Sequence, residues 1–467
     1  MTSWMPTPRR LRHICACVAA LMLLGLAGCT EKTDPEPTKS TPTTTRPVQV
    51  ADLTFGVFGS TEETVGFQAM VRRFNAVSDT STVRIRRWQD SEQAVRDIDR
   101  GHVPDVFLVS RQDLAALVED KKVRPVDQLL DARGVDFGDD YARDALRAFS
   151  ANEALQCMPF SISPMVIFYN TDLIDFETMR AQGLAAPKLD DEGRPPRSWS
   201  FDQFMAAAKF GTKPRKQIKG LAIEPNLRGL APFVLSGGGS LFDDAATPSS
   251  LALSDDGSVD ALERTLTLLR DGSLNLSQTQ LDRGTPMQWF KRGKVAMVAG
   301  FRDSVPSLRR VQGLEWDVMP MPNLDRQSTI GDISGLCISA DSPTPGLAAD
   351  FLTYAIGSDA VGLVAREGFM VPANLTVGTS DVFLQEGRAP RNSRAFIQAV
   401  PNIYVPPMID VWPELDAATA PGLHQLVQRT VLDRDGILDI TSQIDEESVS
   451  LLAPDSTGSP TGSPTSR

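Results

Sequence analysis

Histidine is nearly absent from this chain of 467 residues, with three copies, and tyrosine and tryptophan are few, with four and six. The histidines, His13, His102 and His424, stand in unrelated sequence contexts. The local or motif support that a zinc site or a Ser-His-Asp arrangement needs is missing around them. Acidic pairs such as Asp243-Asp244 and Asp255-Asp256 fall in turn-like contexts, where solvated loop is the default. A glycosidase carboxylate pair leaves no local signature, because the fold brings its members together. Nothing marks a nucleotide-binding loop, and no basic tract is present. The formal charge is −12, which argues against nucleic acid as a partner. The expectation is a protein that is no enzyme and needs no metal or cofactor.

A long apolar run is lacking too. The run Ile14 to Leu26 is too short for a comfortable membrane span and follows Arg9, Arg10 and Arg12, so residues 1–28 read as an export signal. It ends in Leu26-Ala27-Gly28-Cys29, which resembles the lipobox of bacterial lipoproteins. Small residues let the peptidase approach, and the Cys29 thiol would receive the diacylglycerol and anchor the chain to a membrane. A short transmembrane anchor with an incidental cysteine is the alternative. Loss of the signal's three arginines moves the formal charge from −12 to −15. Residues 29–50 are rich in Thr and Pro and read as an extended tether, and residues 453–467 as a disordered tail.

Between them lie about four hundred residues, enough for two lobes with real cores. Asp52 to Phe58 reads as a strand, Gly59 to Glu63 as a polar loop, and Phe67, Met70, Val71 and Phe74 recur at helical spacing. Val83 to Arg86 alternates like a second strand and runs into Trp88. Pro104 to Val109 is the continuous apolar run of a buried parallel strand, and Ser110 and Arg111 follow it. Such repeats imply a parallel sheet with a ligand crevice at the carboxyl ends of its strands. At the centre, Cys157 to Leu173 reads as one strand ending, a polar corner at Ser161-Ile162-Ser163, and another strand beginning at Met165. It is either a crossing between two lobes, with the corner facing their cleft, or a buried hairpin inside one domain.

Segments in order along the chain resemble family 1 extracellular solute-binding proteins of ABC importers, the maltodextrin-binding class. They include "GHVPDVFLVSRQDLAAL", "VRPVDQLLD", "MPFSISPMVIFYNTDL", "SWSFDQFMAAAK", "LSGGGSLFDD", "WFKRGKVAMVAGF" and "ISGLCISADSP". The resemblance covers most of Leu53 to Leu452, and its specificity lies in the collinearity rather than in any single motif. It implies an α/β, two-lobe periplasmic-binding-protein-like fold of type II, with mixed sheets, flanking helices and a multi-strand hinge. The implied layout is lobe 1 at 51–162, lobe 2 at 163–334, a return to lobe 1 at 335–380, and closing helices at 381–452 packing mainly on lobe 2. It also implies a carbohydrate solute and the transmembrane subunits of an ABC permease as partners. The alternative is an interaction or sensor lipoprotein that keeps the fold but not the ligand.

Sugar sites set aromatic faces against the ring and polar groups against the hydroxyls. By the resemblance, Trp199, Trp289 and Trp316 match structural positions, which leaves Trp88 and Trp412 as pocket aromatics. Trp412 matches a stacking position of maltodextrin binders, or else it packs its helix. Where those relatives carry aromatics, this chain has Val109-Ser110, Asn226 and Arg302-Asp303, so a more polar cleft is expected. Further positional candidates are Phe58, Ser60, Thr61, Arg111, Ser163, Phe301 and Met370. Arg111 and Arg302 follow apolar strands and face either the cleft, favouring acidic or heavily hydroxylated solutes, or outer solvent. Gly237-Gly238-Gly239 either admits close approach of a ligand or breaks a helix. In the family the two crossing strands run side by side, so Cys157 and Cys337 either form a disulfide that limits lobe opening or stay buried and inert.

Overall fold

The computed structural model describes residues 50–453 apart from 136, 138 and 139. The export signal, Cys29, almost all of the tether and the tail beyond Ala453 lie outside the described residues. A seven-stranded sheet is built from β1 (Ala51–Phe58), β2 (Ser81–Trp88), β3 (Val106–Ser110), β4 (Val123–Arg124), β7 (Cys157–Pro164), β11 (Thr329–Ser339) and β12 (Ile403–Tyr404). A short hairpin, β5 (Ser150–Ala151) with β6 (Ala154–Leu155), precedes β7. A three-stranded sheet is built from β8 (Val166–Asn170), β9 (Met297–Gly300) and β10 (Trp316–Pro320), with β8 central and both neighbours antiparallel to it.

The first strands follow their pattern. β1 pairs in parallel with β2 and β3, while β11 runs antiparallel to β3. The helix Val65–Val77 buries Phe67, Met70, Val71 and Phe74 on one face, the spacing of an amphipathic helix. In the second sheet alternate residues serve different cores. Val166, Phe168, Val298, Trp316 and Val318 join the first apolar core, and Ile167, Tyr169, Met297 and Met319 join the second. Both faces are covered, which is why β8 reads as an unbroken apolar run. The helix Phe201–Gly211 starts at a capping box made by Ser200 and Gln203. Trp199 is buried beside it and donates from Nε1 to the carbonyl of Pro320 at 2.8 Å.

The chain crosses between sheets at Pro164-Met165 and returns through β11. Thr329 donates from its hydroxyl to the Met165 carbonyl at 2.8 Å, and Ile330 sits in the second core. Leu336, Cys337 and Ile338 sit in the first core. Ser161 and Ser163 lie inside the continuous, fully buried strand β7, so the expected polar corner is not a corner. Strand β7 keeps the ladder with β11 as far as Pro164 opposite Gly331.

Cys157 and Cys337 form a disulfide, with Cα atoms 4.4 Å apart. A bulge sets this pairing. Ser334 faces Ser161, but Gly335 faces Pro159, so one residue of β7 is skipped. Without that slip Cys337 would oppose Met158. Gly335 is needed there, because a Cβ would lie 2.6 Å from the Phe149 ring. The bridge stands roughly 20 Å along the strand from the Pro164–Gly331 crossing. It joins β7 to β11 within the seven-stranded sheet, away from the crossing itself.

The segment after the return divides its packing. Phe383, Phe396 and Val400 enter the first core. The helices Trp412–Gln428 and Arg434–Leu452 place Leu415, Leu423, Leu426, Ile437, Ile440 and Ile444 in the second. Asp445 and Ser448 fix the last helix by accepting from the backbone of Leu253, Ser254 and Leu251.

Candidate functional site

Two adjoining hollows share Arg228, at the first turn of the helix Leu227–Ser236. The first is a narrow apolar slot of about 60 Å³, lined by Gln112, Leu227, Phe242, Tyr404, Pro406 and Trp412 among others. The second is a more open cavity of about 320 Å³, lined by Glu224, Asn226, Arg228, Met287, Phe301 and Asp303. Its volume falls at the lower end of what small-molecule sites require. A larger hollow of about 480 Å³ lies between the loop 188–197 and the helix Arg394–Ala399. Its Arg194 is already held by Asp190 at 2.9 Å, and none of its lining residues comes from the buried crossing strands.

Trp412 opens its helix at the wall of the slot, half-buried, with its ring edge-on to Phe242 at 5.7 Å. It lies beside Ile330 and Gly331 rather than beside Ser161 to Ser163. Asn226 caps the helix Leu227–Ser236, its Oδ1 accepting from the Gly229 N–H at 2.8 Å, and its amide donates to Glu224 at 3.3 Å. Phe301 is half-buried, and the Arg228 guanidinium lies over its ring at 4.5 Å. Arg228 also approaches Asp332 at 3.6 Å. Ser60 and Thr61 are exposed on the loop after β1, where Ser60 Oγ accepts from the Glu63 N–H at 3.2 Å. Glu62 of that loop meets Arg310 at 2.6 Å. Phe58 is half-buried against the first core.

Five expected site residues are buried and line neither hollow. Trp88 is 3% exposed and donates from Nε1 to Asp97 at 2.7 Å, with its ring pressed over Gly56, where a Cβ would lie 2.4 Å from it. It is a core residue. Arg302 is 0% exposed. Its guanidinium lies between the rings of Phe383 and Phe396, 4.4 and 5.0 Å from their centroids, and donates to the carbonyls of Gly368 and Phe383 and to Ser393 Oγ. Ser163 is buried and accepts from the Arg302 backbone N–H at 3.2 Å. Met370 is buried in the first core. Arg111 is buried as well, donating to the Pro406 carbonyl at 3.3 Å, and burial draws its pKa down to about 10. The glycines Gly237 to Gly239 end the helix Leu227–Ser236, with Gly238 at φ 93° and Gly239 against Ser258.

Arg111 and Arg302, expected to face either the cleft or outer solvent, are both buried, and the ionisable groups lining the hollows are Glu224, Asp303 and Asp416 with Arg228. The Asp303 side chain is exposed, yet crowding by the surrounding protein, then the charges of Asp332 and Glu63, hold its carboxyl above the usual carboxylate range. Asp416, at the slot, is raised by burial and partly offset by Arg228. In the sequence Asp303 stands out only as a departure from the aromatic pattern, and no local pattern marks Arg228, Phe242, Tyr404 or Asp416. The rarity of tyrosine was the one signal that could have marked Tyr404.

No curated protein sequence matches the chain. Among solved structures, the Listeria monocytogenes ABC substrate-binding protein Lmo0181 in complex with cycloalternan superposes with a TM-score of 0.70 at 18% identity, covering 85% of this chain and 98% of its own. The sugar-binding protein MalE of Xanthomonas citri gives 0.70 at 15% identity, covering 87% and 98%. The cyclic α-maltosyl-1,6-maltose binding protein of Arthrobacter globiformis gives 0.68 at 15%, covering 87% and 100%. At these identities the likeness establishes the two-lobe fold. Residues 69–390 match the profile of a bacterial extracellular solute-binding protein, and the chain belongs to that family.

Proposed function

We propose that this protein is a lipid-anchored, extracytoplasmic receptor that binds a carbohydrate and presents it to the transmembrane subunits of an ABC permease. Cys29 is the point of lipid attachment in this reading, and the protein performs no chemical step on its solute. The observation that carries it is the pairing of hollows around Arg228. Trp412 and Phe301 offer apolar faces, while Asn226, Glu224 and Asp303 offer hydrogen-bonding groups, the combination that suits a polyhydroxylated ring. The structural neighbours, one in complex with cycloalternan and one a cyclic α-maltosyl-1,6-maltose binding protein, support the same solute class. A thermal-shift screen of the purified protein against mono- and oligosaccharides tests it, because a ligand of the native state alone raises the melting temperature. One observation favours the alternative of an interaction or sensor lipoprotein that has lost its ligand. The slot beside Trp412 holds only about 60 Å³, less than a ring needs. A screen without any shift would leave that alternative standing.

A further inference from the structure

We propose that Arg228 gates the carbohydrate site: its guanidinium covers the Phe301 ring on which a saccharide would stack, and it turns away toward Asp416 when the sugar seats. This rests on the carbohydrate-receptor reading above and deepens it. Phe301 follows β9, packs against the second core and lines the open cavity. The Arg228 guanidinium lies over that ring, 4.5 Å from its centroid. A group at that distance fills the stacking space, so no sugar ring can take that face while the guanidinium stays. What holds it there is weak. Its ion pair with Asp332 spans 3.6 Å, and the two side chains are 41% and 56% exposed. Its cation–π contact, at so exposed a site, is worth about two- to five-fold in an equilibrium constant. A second carboxylate shares the slot with Arg228: Asp416, one helical turn after Trp412 and on the same face of that helix. Among the described residues no ion pair engages Asp416, and the charge acting on its carboxyl is that of Arg228. Arg228 lines both hollows, so rotation about its own side-chain bonds carries the guanidinium from one to the other. The backbone beneath it is held by the Asn226 cap and does not have to move. Arg228 is thus a two-position element, and the apparent affinity for a stacked sugar is reduced by the fraction that covers Phe301.

The experiment is calorimetric titration of the full chain and its variants with maltotriose, cellotriose and raffinose, with melting curves to confirm that each variant is folded. For any of these sugars that binds, Arg228→Ala should bind at least about two-fold tighter than the parent, with the gain in the association rate. A side chain that touched the sugar would give the opposite sign. Asp332→Asn should also tighten binding, and the double variant should gain no more than Arg228→Ala alone, because Asp332 acts only through Arg228. Asp416→Asn, which removes the partner of the second position, should weaken binding. Equal or weaker binding by Arg228→Ala, gains that add in the double variant, or unchanged affinity in Asp416→Asn overturns the gate and leaves the receptor reading intact. No binding of any of the three sugars by the parent or by the variants overturns both.

Discussion

Removing the Cys157–Cys337 bridge should weaken folding without altering how the lobes move. The two residues are separated by 180 positions, and both are fully buried. For a loop of that size the chain-entropy model gives about 5 kcal/mol, and native bridges deliver about 2–4 kcal/mol. With an unfolding entropy of about 0.8 kcal/mol/K for a body of some 400 residues, the melting temperature should fall by roughly 2–5 °C. The double variant Cys157→Ala/Cys337→Ala, compared with the parent by urea denaturation and calorimetry, reads this directly. Its affinity for any saccharide that the parent binds should change less than about two-fold, since sites that share no partners act independently. Small-angle scattering with and without that saccharide should give the same change in radius for both proteins. A wider opening in the variant, or a large loss of affinity with little loss of stability, would show that the bridge governs the hinge and refute the placement argued above.

Trp412→Ala should lower saccharide affinity by about ten-fold or more while costing less stability than a core tryptophan would, because the ring is only half-buried at the slot, edge-on to Phe242 at the margin of the second core. Titration calorimetry measures it, and unchanged affinity removes Trp412 from the site. Arg302→Ala should cost about 3–5 kcal/mol in urea denaturation, since it empties the space between Phe383 and Phe396 and leaves two carbonyls and a hydroxyl without their donor. Asp317 is buried and its pKa is pushed up to about 6, chiefly by that burial. The native state therefore binds the proton more readily than the unfolded chain, and this group's contribution improves as pH falls from about 7 toward 4. Asp317→Asn keeps an Oδ1 to accept from Val318 and Asn392, so it should raise stability at pH 7 by about 1–3 kcal/mol and flatten the slope between pH 4 and 7. Melting curves across that range check it, and a destabilised variant at pH 7 would count against it.

Much of the framework was legible in the sequence because it is written in local pattern. The face Phe67, Met70, Val71, Phe74, the cap at Ser200, the apolar run of β3 and the strand change at Pro164 each follow from spacing or backbone chemistry within a few residues. What local pattern does not carry is which way a side chain points once a strand ends. Arg302 and Asp303 are neighbours after β9, yet one lies between two rings in the core and the other lines the cavity. Trp88 ends its strand facing Gly56 and Asp97, a choice made by the missing Cβ of a residue more than thirty positions away. The disulfide depended on more distant information still. The bulge between Ser334 and Gly335 slips the ladder by one residue and brings Cys337 opposite Cys157. That slip is made where Phe149, from outside both strands, leaves no room for a side chain on Gly335. Local pattern marked the strand change at Pro164 and left open whether it crosses between lobes, to which only the resemblance pointed; packing from a third element settled which residues meet.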